Sequence, residues 1–115
     1  MASDSFVMFV LEQLRDMDGL GCRAMFGGHG LYAGQTFFGI LYGARLYLKT
    51  GESTVSEYTR RGMGPFRTGG NQVLKTYYEV PADVLENGER LREWAAAAVR
   101  CAATSAGGRR RAVGR

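Results

Sequence analysis

The sequence predicts an α+β domain: a two-layer sandwich with helices over one side of a mainly antiparallel five-stranded sheet. Three observations carry that expectation. Apolar residues recur at helical spacing near both ends of the chain, and the middle alternates aromatic and branched residues with glycine at strand spacing. The connections between those strands are short and contain glycine, which supplies the positive φ of tight hairpin turns. At 115 residues there is room for one domain with one core.

Residues 4–17 read as an amphipathic helix, with Phe6, Val7, Val10, Leu14 and Met17 on one stripe. Ser3 stands as a candidate N-cap, and Gly19 and Gly21 end the segment. Three strands follow over about 22–32, 35–42 and 45–50, joined at Ala33-Gly34 and Gly43-Ala44. A short helix over 53–61 has Thr54 and Glu57 spaced as a capping box and Gly62 as its stop. Phe66–Thr68 and Val73–Val80 form a second hairpin around Gly69-Gly70-Asn71. Pro81 opens a brief helical turn ending near Asn87-Gly88, and a last helix over about 89–103 aligns Leu91, Trp94, Ala95 and Ala98. The order is αβββαββα, with the short extra helical turn before the last helix. Residues 1–104 make the domain. From residue 105 to 115 the chain turns to Gly and Arg with nothing to bury and is expected to be a disordered Arg-rich tail.

The net charge of +4 is a property of that tail. Arg109, Arg110, Arg111 and Arg115 supply the whole excess, because the other basic residues are matched in number by the acidic ones. The tail is therefore the candidate nucleic-acid contact, through non-specific phosphate binding, with a solubilising or docking role as the plainer alternative. Residues 24–44 carry no formal charge, yet the glycines among them suit hairpins and argue against a membrane helix. Cys22 and Cys101 are the only cysteines, which suggests reduced thiols in a cytoplasmic protein.

Catalytic chemistry finds little support in the residues. His29 is the only histidine and has no ligand or general-base partner at recognisable spacing. Gly27-Gly28-His29-Gly30 lacks the Lys-Ser/Thr and the following helix of a phosphate loop, so a bulged strand or a close backbone approach explains it better. The carboxylates are scattered along helix ends and polar faces. No catalytic, metal-binding or cofactor-binding residue is assigned, no cofactor or small-molecule substrate is indicated, and the chain is expected not to be an enzyme.

The strand faces are more informative. A two-residue turn at Gly43-Ala44 sets Tyr42 opposite Arg45, which puts Phe37, Gly39, Leu41, Leu46 and Leu48 toward the core. Phe38, Ile40, Tyr42, Tyr47 and Lys49 then share the opposite face. With helices on one side only, Phe38, Ile40, Tyr42 and Tyr47 become the candidate interface with a protein partner or a second copy of the chain. A covering loop or tail, or a bulge that shifts the register, is the open alternative.

The ordered set Arg23-x-Met25-Phe-Gly-Gly-x-Gly-Leu-Tyr32, Leu46-Tyr-Leu-Lys49, Pro65-Phe66, Tyr77-Tyr-Glu-Val-Pro81 and Leu91-x-x-Trp94-Ala95 resembles the N-terminal domain of the TfoX/Sxy family, the bacterial regulators of natural competence. The resemblance spans residues 4 to 103. It implies a noncatalytic, cytoplasmic regulatory domain. Longer members add a helical domain resembling a helix-hairpin-helix nucleic-acid module, for which these 115 residues leave no room.

Overall fold

The computed structural model describes residues 3–25, 27–67 and 73–114, with side chains for 5–25, 27–67 and 74–104. Its elements are α1 (Ser3–Gln13), β1 (Leu20–Met25), β2 (Gly28–Ala33), β3 (Thr36–Tyr42), β4 (Arg45–Lys49), α2 (Val55–Thr59), β5 (Pro65–Arg67), β6 (Val73–Glu79), α3 (Ala82–Leu85) and α4 (Gly88–Gly114). The sheet has six strands in the order β1-β2-β3-β4-β6-β5, and every neighbouring pair is antiparallel.

The sixth strand corrects the sequence expectation of five. The run read as one strand over 22–32 is a hairpin, with Met25 opposite Gly28 and Gly27 at φ +83° in the turn. A glycine-rich stretch gives no apolar signal for the reversal, so its alternation passes for one long bulged strand. The turn at Gly43-Ala44 is as expected, with Tyr42 opposite Arg45. Both turn residues have positive φ, +57° at Gly43 and +61° at Ala44, the pairing that matches the twist of a two-residue hairpin.

Packing of the helices on one face produces the main core. Val10 and Leu14 near α1, Tyr58 from α2, Val84 from α3, and Leu91, Ala95 and Ala98 from α4 meet Leu31, Phe38, Leu41, Leu46 and Leu48 of the sheet in one cluster. Thr50, the one buried polar side chain among the described residues, donates its hydroxyl to the Thr76 carbonyl at 2.9 Å and so leaves no buried polar penalty.

Two capping expectations change. Thr54 makes no side-chain cap to α2; its hydroxyl instead accepts from the Gly51 amide at 3.0 Å, closing the preceding turn. Asn87, read as the end of the brief helix, starts the next one: its Oδ1 accepts from the Arg90 amide at 3.1 Å, the N-cap bond to the third helical residue. The backbone of α4 runs to Gly114, beyond the end near 103 set by the apolar periodicity. The side chains of Arg109, Arg110, Arg111 and Arg115 lie outside the described residues.

Candidate functional site

The face of the sheet away from the helices carries a second cluster, and its composition departs from the sequence expectation at one strand. In β2 and β3, Leu31 pairs with Gly39 while Tyr32 pairs with Phe37, so Phe38 is an extra residue in the ladder. This β-bulge interrupts the alternation of side chains. Phe38 consequently turns to the helices, fully buried in the main core, and Phe37 turns to the other face. Phe38 is thus removed from the predicted interface, and Phe37, assigned to the core by strict alternation, takes its place on that face.

Ile40, Tyr42 and Tyr47 do lie on the helix-free side. Ile40 is nevertheless fully buried and Tyr47 only 9% exposed, because Phe66 of β5 sits against them. The Phe66 ring meets Tyr47 edge-on at 4.9 Å and Tyr42 at 5.3 Å, the T-shaped geometry favoured by the charge distribution of aromatic rings. Burial, with Glu79 nearby, pushes the Tyr47 phenol above its ordinary value. Arg45 forms a two-pronged bond to Glu79, at 3.0 and 2.9 Å, beside it. The centre of the face is closed, and of the predicted residues only Tyr42 is half-exposed.

A more accessible strip runs along one end of this face. Tyr32 and Phe37 have ring centroids 5.3 Å apart, and Phe37 and Tyr77 are also 5.3 Å apart. A cation stands at each end: the Arg23 guanidinium is 4.9 Å from the Tyr32 ring centre and the Lys49 ammonium 5.6 Å from that of Tyr77. All three rings are half-buried. Burial, followed by the neighbouring Tyr32, pushes the Tyr77 phenol up to about 12. Gly30 is the floor beneath the first two rings, since a Cβ there would fall 3.0 Å from Phe37 Cε1 and 3.3 Å from Tyr32 Cε1. A side chain at this position would press on Met25 and displace the strip, whereas Gly28 is required by the close Leu41 carbonyl and Gly27 by its positive φ. The sequence contained one usable signal for Phe37: two adjacent phenylalanines before a glycine in a strand, where a bulge satisfies both faces.

The other sequence candidates do not assemble. His29 pairs with Ala24 and Leu41 in the ladder, half-buried. Cys22 and Cys101 are free thiols, and burial pushes the Cys22 thiol upward, away from the reactive thiolate. Among the described residues no group of three or more His, Cys, Asp or Glu is placed to hold a metal ion, and no helix is long and apolar enough to cross a membrane.

Residues 12–102 match the family model described as TfoX N-terminal domain. The chain belongs to that family. The match covers the whole sheet, α2, α3 and α4 as far as residue 102, and only the end of α1, so the ring strip and the closed centre beside it are features of a TfoX N-terminal domain. No curated protein matches the chain. Membership makes this a domain of the regulatory, competence-related type.

Proposed function

We propose that this TfoX N-terminal domain is a noncatalytic cytoplasmic regulator, of the kind that controls natural competence, and that it works by holding a protein partner on the helix-free face of its sheet. The observation that carries the reading is the strip Arg23–Tyr32–Phe37–Tyr77–Lys49. It combines half-exposed aromatic area with the Arg23 guanidinium, residue types enriched in protein contact surfaces, and ends at the Lys49 ammonium. The accessible residues are Tyr32, Phe37, Tyr42 and Tyr77, with Ile40, Tyr47 and Phe66 as their rigid support. Rings held by a packed base lose little freedom on binding, which favours a preformed surface.

The test is affinity capture from the native cell, comparing the wild-type chain with Tyr32→Ser/Phe37→Ser after circular dichroism shows both folded. Loss of at least one captured protein from the variant is the expected outcome; an identical set for both chains overturns the reading. Light scattering on the purified wild type shows whether the partner is a second copy.

A further inference from the structure

We propose that the cleft between α2 and α4 binds a small organic cation: one aromatic or branched alkyl group carrying an ammonium. The cleft is floored by the rings of Tyr58 and Trp94 and the methyls of Ala97 and Ala98, and its volume is about 130 Å³. An apolar cavity of roughly 150 Å³ holds benzene, so a single ring or a compact alkyl group fills this one. The space exists because α4 presents alanines at 97 and 98 where its neighbouring positions reach the core, while the Tyr58 and Trp94 rings meet edge-on at 4.8 Å and form one wall.

The charged groups at the mouth set the sign of the ligand. Lys49 contributes its stem, because its ammonium is turned away to Thr76 Oγ1 at 2.9 Å and to the Tyr77 ring. Glu57 is engaged by Arg60 at 2.8 Å, and Arg61 lies 5.6 Å from the Trp94 ring centre with its guanidinium bound to Asp83. Glu93 is exposed and has no ion-pair partner among the described residues. A ligand whose apolar part enters the cleft therefore meets a carboxylate at the rim. An open groove past Gly51 and Cys101 shares Thr54 and Ala97 with the cleft and gives it an approach from solvent. A molecule bound there would bridge α2 to α4, giving the domain an input beside the Lys49 end of the ring strip. Lys49 is common to cleft and strip, but the cleft's ring wall and its rim carboxylate Glu93 belong to α2 and α4, so binding there does not require the partner face.

Trp94 is the only tryptophan, so its emission reports on the cleft directly. The full chain is titrated at pH 7 with benzylammonium, its neutral analogue benzyl alcohol and the anion benzoate. A saturable emission change is expected, with benzylammonium binding about fivefold more tightly than the alcohol and benzoate more weakly still, the size of one partly solvated ion pair. Glu93→Gln should bring the cation and the alcohol to equal affinity, and Ala97→Leu should abolish the response by filling the space. No saturable change, equal affinities for all three probes in the wild type, or a cation preference that survives Glu93→Gln overturns the proposal. Glu93 is exposed, so its variant keeps the test decisive even where Ala97→Leu fails to fold.

Discussion

The bulge in β3 gives two adjacent phenylalanines opposite fates, and their alanine substitutions should separate cleanly. Phe38 is fully buried among the helix-facing residues, so Phe38→Ala loses the transfer energy of a whole ring and leaves a cavity, about 3–5 kcal/mol. Phe37 is half-buried and makes two ring contacts, each with centroids 5.3 Å apart. Such contacts are worth about 0.5–1.5 kcal/mol when buried, so Phe37→Ala should cost only about 1–2 kcal/mol. At roughly 4–8 °C per kcal/mol for a small domain, a difference of about 2–3 kcal/mol should separate the melting temperatures of the two variants by roughly 10–20 °C. Urea unfolding followed by far-ultraviolet circular dichroism gives both free energies, and an unchanged slope shows that the comparison concerns stability alone. A loss for Phe37→Ala equal to or larger than that for Phe38→Ala would mean that β3 follows unbroken alternation and that the ring strip does not exist as described.

Other outcomes follow from single features. Ala44 sits at φ +61°, where a side chain costs about 1 kcal/mol; Ala44→Gly should raise stability by about 0.5 kcal/mol in a thermal melt, after the added freedom of the unfolded chain is offset. Asn87→Ala removes the cap of α4 and should lower stability by about 1 kcal/mol in the same melt. The Tyr77 phenol rises from its ordinary value of 10.0 to about 12, so the folded state prefers it neutral. Its contribution is complete below pH 10 and lost as pH climbs from 10 to 12. Two units correspond to about 2.7 kcal/mol, and solvent screening of this half-buried group reduces that to about 1 kcal/mol. Denaturant midpoints measured across that window should fall less steeply for Tyr77→Phe, with Tyr58 and Tyr47, both shifted upward by burial, keeping part of the decline.

The helices and the later strands were legible because their signals are local. Val10 and Leu14 at the start, Leu91, Ala95 and Ala98 at the end, and the Gly43-Ala44 turn each follow from spacing within a few residues. The hairpin inside 20–33 was hidden, since glycine is neutral to every periodicity and its backbone can continue or reverse. The face assignment was legible for Leu41, Leu46 and Leu48 and for Ile40, Tyr42 and Tyr47, and failed at Phe37 and Phe38 because a bulge depends on the partner strand. The closure of that face was invisible for another reason. Phe66 comes from a three-residue strand paired beyond β6, and no pattern within its own neighbourhood shows which ring it will cover.

The position of α1 bears on where this folding unit begins. The family match opens at residue 12, yet Val10 is fully buried in the main core and Gln13, the last residue of the same helix, donates its amide to the Leu85 carbonyl at 2.9 Å. Sequence kinship and mechanical integrity thus have different borders in this protein. A fragment cut to the recognised span would lose Phe6, Val7, Val10 and Leu11 from the core cluster and leave apolar surface where they pack, favouring self-association.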